Sequence, residues 1–189
     1  MEAASLTGGF ADPARDGARA FRAVMEVMAR PGTIVPLVHA APPAPLSAAA
    51  GTLLLVLCDP DTPVWLAGAC DCAAVRDWLA FHTGAPMAAG PGACAFAVGR
   101  WDALAPLDVY PAGVADYPDR SATLIVELDA LAPGGVVLAG PGIEGQAALP
   151  LPDPAAFRAN AARFPLGVDA FFTCGACVAA LPRSTKVLA

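Results

Sequence analysis

Segments that open as helices alternate with β-branched or apolar runs along the whole of this chain, and such alternation specifies a sheet covered by helices. Asp12 followed by Pro13 sets an N-cap before a proline at the first helical position, and Phe21, Val24, Met25 and Met28 then recur at helical spacing. This predicts a helix to about Ala29. Arg30-Pro31-Gly32 stops it, because proline has no donor N–H and disfavours helix in the residue before it. Thr33 to Val38 reads as a strand. Leu46 to Cys58 is apolar all round, which fits a buried helix opened by Ser47 or a fully covered strand, and its length favours the helix. Asp59-Pro60-Asp61 turns the chain and Pro63 to Ala67 reads as a strand end. Asp71 caps a third helix with Val75, Trp78 and Leu79 as its stripe, ended by Gly84 and Pro86.

Three further strands are expected at Cys94 to Val98, Thr123 to Leu128 and Val136 to Ala139, while Pro106 to Arg120 carries no clear pattern. Asp153-Pro154 repeats the capped-helix opening, Phe157, Ala161 and Phe164 share a face at helical spacing, and Pro165 closes the segment. Asp169 to Cys174 and Val178 to Leu181 read as a hairpin joined through Gly175-Ala176, which makes the sheet mixed rather than purely parallel.

At 189 residues and 19.0 kDa the chain suits one domain, spanning residues 1–189. With 57% hydrophobic and 15% charged residues, global disorder is excluded. The mean hydropathy of +0.57 owes much to alanine. The best candidate for a membrane span, Ala40 to Cys58, is interrupted by Pro42, Pro43, Pro45 and Gly51, so it is a buried element. The first charges are Glu2 and Asp12, and no basic region precedes an apolar stretch, so no secretory signal is expected and a reducing cytoplasm is the default compartment. The six cysteines are accordingly read as free thiols. A net charge of -6, with ten arginines and the single lysine Lys186, argues against a nucleic-acid surface.

Gly140-Pro141-Gly142-Ile143-Glu144-Gly145 matches G-x-G-x-x-G after a strand, but a dinucleotide loop must open directly into a helix, and Gln146 to Pro152 is extended and proline-limited. A tight turn between strands is the better reading. Cys70-x-Cys72 and Cys174-x2-Cys177 supply four thiols that could serve zinc, although a CxC pair at a helix start is poorly suited to tetrahedral closure. His82 sits on the apolar stripe near a helix C-terminus, where most histidines are structural, and His39 has no partner readable from sequence. Two histidines and four serines leave little material for a Ser-His-Asp site. Arg15, Arg19 and Arg22 line one face of the first helix, with Glu26 placed to pair with Arg22. Arg22, at the edge of the apolar face, and Arg183, near Lys186, are the candidates for gripping a phosphoryl or phosphonyl group. Asp59 and Asp61 suit turn formation better than Mg2+ ligation.

Several stretches taken in order resemble the PhnH subunits of the bacterial phosphonate carbon-phosphorus lyase system. They are Phe21-Arg22 with Met25, Met28 and Pro31-Gly32; Leu53 to Leu57 leading into Asp61-Thr62-Pro63-Val64-Trp65-Leu66; and Phe81-His82-Thr83 with Ala85-Pro86. Thr123-Leu124-Ile125, Gly140 with Gly142-Ile143, Phe164-Pro165-Leu166-Gly167 with Asp169, Thr173-Cys174-Gly175, and Leu181-Pro182-Arg183 with Thr185 and Val187 complete the series. Of the cysteines only Cys174 falls in such a stretch.

The resemblance implies a three-layer αβα sandwich with a mixed sheet, akin to the pyridoxal-phosphate-dependent transferases, assembled as a homodimer and lacking the cofactor. The sequence supports the last point independently: a Schiff base needs a lysine, and Lys186 lies in what reads as a C-terminal tail. The resemblance further implies work with PhnG, PhnI and PhnJ, assisted by PhnL. That complex moves an alkylphosphonate onto C1 of the ribose of ATP and releases adenine, giving ribose 1-methylphosphonate 5-triphosphate. Either Arg22, His82 or Arg183 contributes to the substrate site, or the chain is a non-catalytic dimeric scaffold. A cysteine-based zinc module is a third, weaker alternative. The charge balance leans toward the scaffold, since a net-acidic chain is poorly equipped to hold a triphosphate alone.

Overall fold

The computed structural model describes residues 6–188; Glu2, the first charge of the sequence, lies outside them. The first helix, α1, spans Pro13–Ala29, with the Asp12 carboxylate accepting from the Arg15 backbone N–H at 3.2 Å. Its buried stripe is Ala20, Val24 and Val27. Phe21 and Met25, expected on that stripe, are 50% and 52% exposed, because the small Ala20 rather than Phe21 faces the closely packed second helix. Glu26 pairs with Arg30 at 2.8 Å and not with Arg22, so the expected ion pair is replaced by one a turn further on.

The strand expected over Thr33 to Val38 shrinks to β1, Val35–Pro36, since Pro36 has no N–H to extend the ladder. Helix α2, Ala48–Leu57, confirms the buried-helix reading, with the Ser47 hydroxyl accepting from Ala50 N–H at 3.1 Å. Its one polar buried side chain is fully used: Thr52 Oγ1 accepts from the N–H groups of His39 and Ala40, each at 3.1 Å, and donates to the Ala48 carbonyl at 2.8 Å. After the Asx turn in which Asp61 N–H donates to Asp59 Oδ1 come β2, Val64–Leu66, and helix α3, Ala73–Thr83. Asp71 does not cap α3. Cys72 holds the cap position, while Asp71 closes a short 3-10 turn and its carboxylate is taken by Arg76. Gly84 ends α3 in the left-handed conformation, φ 70°.

Strand β3 covers Phe96–Arg100, later than expected because Pro91–Ala93 forms a 3-10 turn that delays its start, and it runs directly into the short helix α4, Trp101–Leu104. The unreadable stretch contains a small hairpin of β4, Ala112–Val114, and β5, Tyr117–Ser121. There follow β6, Thr123–Glu127; β7, Val136–Ala139; and β8, Ala147–Leu149. Helix α5, Pro154–Ala161, is capped by Asp153 as expected, and β9, Asp169–Cys174, and β10, Cys177–Leu181, form the expected hairpin. Phe164 is exposed, since α5 ends at Ala161 and helical spacing no longer governs the residues beyond it. Lys186 is not in a loose tail: with Val187 it forms β11, paired to β7.

Six strands make one mixed sheet in the order β1-β10-β9-β6-β3-β2. The run β9-β6-β3-β2 is parallel, and β10 and β1 add antiparallel strands at one side. Side chains alternate between two cores with the period of two that strands impose. Val98, Ile125 and Phe171 pack with α1, α2 and α3, whereas Ala97, Leu124, Val126 and Phe172 pack with Leu104 of α4, Phe157 of α5 and Leu138, Leu149 and Val187 of the antiparallel sheet β11-β7-β8. Both faces of the sheet are thereby covered.

The glycine-rich run is a turn between antiparallel β7 and β8, with no helix after it. Gly142 sits there at φ 79°, and a side chain on it would drive into the Ala29 carbonyl at the end of α1. The motif fastens a turn to a helix end; its glycine meets protein backbone, not pyrophosphate.

Candidate functional site

In open α/β sheets ligands bind in the crevice beyond the carboxyl ends of the parallel strands. Here four loops meet at that edge: Gly68 to Cys70 after β2, Arg100 to Ala103 after β3, Glu127 and Leu128 at the end of β6, and Gly175 after β9. With Pro45 and Ser47 at the start of α2 they enclose a cleft of about 370 Å³.

The carboxylate of Glu127 is the most constrained charged group in it. Oε1 accepts from the Ser47 backbone N–H at 2.7 Å and Oε2 accepts from the Thr173 hydroxyl at 2.9 Å, leaving the residue 9% exposed. The negative charge therefore lies at the positive end of α2, where it is electrostatically favoured. Arg100, opposite Glu127 in the parallel register, makes a two-pronged contact with Asp129 at 2.8 and 2.6 Å. That contact holds the Asp129 carboxyl below the usual carboxylate range and raises the arginine further. The Cys70 thiol is pushed up to about 11, first by burial and then by the charge of Glu127, so it stays protonated at neutral pH. A cleft lined by Glu127, Asp102 and an Arg100 whose positive charge is compensated by Asp129 is acidic. It can receive hydroxyl or ammonium donors, and it disfavours a polyphosphate.

The sequence-predicted residues do not converge on this cleft or on one another. His82 lines a different, open groove of about 770 Å³ formed with Thr7 to Phe10 and Phe21, and its Nε2 donates to the Thr7 carbonyl at 3.2 Å. Trp78 Nε1 donates to the same carbonyl at 3.0 Å, and the two rings lie 5.0 Å apart. His82 thus helps tie the N-terminal segment to α3. His39 has the partner that sequence did not reveal, Asp16 at 3.6 Å. Arg22 is exposed on α1, beside Arg19, and makes no ion pair among the described residues.

Arg183 is committed to the chain itself. Its guanidinium grips both oxygens of Asp169 at 3.2 and 2.7 Å and donates to the carbonyls of Pro118 and Gly167 at 2.7 and 2.9 Å. Cys70 and Cys72 do not join Cys174 and Cys177: among the described residues no three of His, Cys, Asp or Glu are grouped to hold a metal ion. Lys186 lies outside the lining of the cleft. Glu127, Arg100 and Ser47 were missed in sequence. The available signal was a lone carboxylate ending the apolar run Leu124-Ile125-Val126.

A mixed α/β protein with a crevice at the carboxyl ends of its parallel strands is the class these features define. Over residues 8–188 the chain matches the family described as bacterial phosphonate metabolism protein (PhnH). It belongs to that family. It is 43% identical over 189 residues to the alpha-D-ribose 1-methylphosphonate 5-triphosphate synthase subunit PhnH of Rhizobium meliloti, a match covering 96% of this chain and 94% of that relative.

Proposed function

We propose that this chain is a subunit of the carbon-phosphorus lyase core complex, required for transfer of an alkylphosphonate to the ribose of ATP with release of adenine. The observation that carries the reading is the 43% identity to a synthase subunit across nearly the full length of both chains. Within the complex the chain is one domain spanning residues 1–189, a three-layer αβα sandwich of the transferase type that does not use pyridoxal phosphate. It pairs as a homodimer and works with PhnG, PhnI and PhnJ, assisted by PhnL, in the cytoplasm. No helix among the described residues is long and apolar enough to cross a membrane, which is compatible with that placement.

Transfer to ribose C1 needs the triphosphate neutralised and a ribosyl-cation-like transition state positioned. This chain, of net charge -6, brings few free cations to that task. The internal commitment of Arg183 and the acidity of the cleft favour the second reading, in which the subunit is a scaffold and the nucleotide site comes from its partners. Of the three candidates Arg22 has no ion pair among the described residues and so is the first for a substrate or partner anion, and His82 is the next.

Reconstitution with the partner subunits tests the assignment. Adenine release from ATP plus methylphosphonate is expected to require this chain, and an unchanged rate without it would refute the role. Arg22→Ala then separates the readings, since retained adenine release with intact assembly leaves the scaffold standing, and lost release with intact assembly places Arg22 at the substrate.

A further inference from the structure

The six thiols fall into two groups. Cys58, Cys70 and Cys94 are buried, and burial pushes Cys58 up to about 12 and the other two up to about 11, which leaves them as inert core thiols. Cys72, Cys174 and Cys177 are partly exposed. Cys72 holds the cap position of α3, two residues from the buried Cys70. Cys174 and Cys177 are direct partners at the closed end of the β9–β10 hairpin, joined by the two-residue turn Gly175-Ala176. Gly175 has φ 55°, the positive value that the first position of a type II′ hairpin turn requires.

Opposed residues of an antiparallel ladder project to one face of the sheet, with Cα atoms about 5.5 Å apart in a hydrogen-bonded pair and about 4.5 Å in the other kind. Disulfides span Cα separations of about 4.4 to 6.8 Å. The two-residue turn makes this the hydrogen-bonded kind, inside that range but with Cβ atoms about 5.5 Å apart against the roughly 4.5 Å upper end for a relaxed disulfide, so closure draws the strand ends slightly together and gives a readily reduced bond.

We propose that Cys174 and Cys177 are a redox dithiol that closes to an intramolecular disulfide by exchange with a small disulfide such as oxidised glutathione. One thiol gives its proton to water and attacks a sulfur of the glutathione disulfide, expelling one glutathione thiolate and leaving a mixed disulfide. The second protein thiolate attacks the protein sulfur of that bond and expels the second glutathione. The pair loses two electrons and two protons, and glutathione disulfide is reduced to two thiols. The reaction is reversed by excess reduced glutathione.

The position gives the bond a consequence for the rest of the molecule. Gly175 lines the cleft, its carbonyl accepts from Ala49 N–H at 3.0 Å at the start of α2, and the Ala176 carbonyl accepts from Leu37 N–H at 2.8 Å. Closing the dithiol therefore staples the turn that forms one wall of the cleft. Cys177 stands outside the stretches that carry the family resemblance, and the proposal does not rest on the role in the complex.

The test uses the folded, reduced full chain, incubated with oxidised glutathione, alkylated with iodoacetamide and digested with trypsin. The peptide 164–183 is expected two hydrogens lighter and unalkylated, restored by dithiothreitol, with the same result in Cys72→Ser. In Cys177→Ser a stable glutathione adduct is expected on Cys174, whereas wild type passes through it. Stable adducts on both residues of wild type, two thiols that remain fully alkylatable, or linkage of either residue to Cys72 would overturn the proposal.

Discussion

Arg183→Ala is the substitution on which the residue's two possible roles diverge. Arg183 and Asp169 retain only 15% and 17% side-chain exposure, and the variant removes four donor contacts, two to the carboxylate and two to backbone carbonyls. Removing one partner of a buried pair costs about 3 to 5 kcal/mol, because the other charge is left without compensation. Asp169 keeps the Arg183 backbone N–H, which donates at 2.8 Å whatever the side chain. The lower figure, about 3 kcal/mol, is therefore expected. With a urea dependence of roughly 2 kcal/mol per molar for a chain of this size, the unfolding midpoint should fall by about 1.5 M. Tryptophan fluorescence reports the transition, since Trp78 is fully buried. Arg183→Lys should recover part of the loss, as an ammonium keeps the charge but not the planar fork. The double variant Arg183→Ala with Asp169→Asn should be less destabilised than the two single costs added together, because no buried charge is left alone. A midpoint within error of wild type, combined with lost adenine release in the reconstituted complex, would refute the structural role and return Arg183 to the substrate site.

Four more outcomes are expected. Gly142→Ala combines a left-handed backbone with a collision against Ala29, so it should cost about 2 kcal/mol or more and lower the melting temperature by roughly 6 °C, read by circular dichroism. Thr52→Val keeps the volume but strips the acceptor from the buried Ala40 N–H and its neighbour, for a loss of about 2 kcal/mol measured in urea. Glu127→Gln preserves an oxygen for Ser47 and should cost under about 1.5 kcal/mol, whereas Glu127→Ala leaves the Ser47 N–H unpaired and Thr173 with only the Val126 carbonyl at 3.4 Å, and should cost more; equal effects would contradict the capping role. Alkali should unfold the protein earlier than charge repulsion alone would require. The buried thiols of Cys58, Cys70 and Cys94 hold their protons to about 12, 11 and 11 when folded and release them near 9 when unfolded, so stability is full below 9 and falls between 9 and 12. Cys58→Ala should flatten that fall in a pH series of urea midpoints.

The elements that sequence disclosed are those whose signals are local. Asp12-Pro13, Ser47 and Asp153-Pro154 each place a side-chain acceptor within a few residues of the N–H it serves, so the three helix starts were legible. The hairpin of β9 and β10 was legible for the same reason, its turn being two residues long. Errors arose where a neighbour decides. Phe21 and Met25 fit the helical period of α1 as well as Ala20 and Val27 do, and only the packing of α1 on α2 selects the small residue for the inner face. Asp71 offered a cap in the right place and was claimed by Arg76.

The cleft was not legible at all, and its hydrogen bonds show why. Glu127 serves Ser47, 80 residues earlier, and Thr173, 46 residues later, and no local pattern links three such positions. What joins them is the topology: β6 lies between β3 and β9, so its last residue reaches the edge where α2 begins and β9 ends. The resemblance to the family could not supply this constellation either, since the residues it pointed to, Arg22, His82 and Arg183, stand on α1, on α3 and after β10. Two of those three already spend their donors inside the chain. Residues that recur across relatives because they hold a fold together are indistinguishable, in one sequence, from residues that touch a substrate. Donor accounting in the folded chain separates them: a guanidinium whose fork is filled by Asp169 and two carbonyls has little left to offer a phosphonate, while Arg22, with no ion pair among the described residues, has all of it.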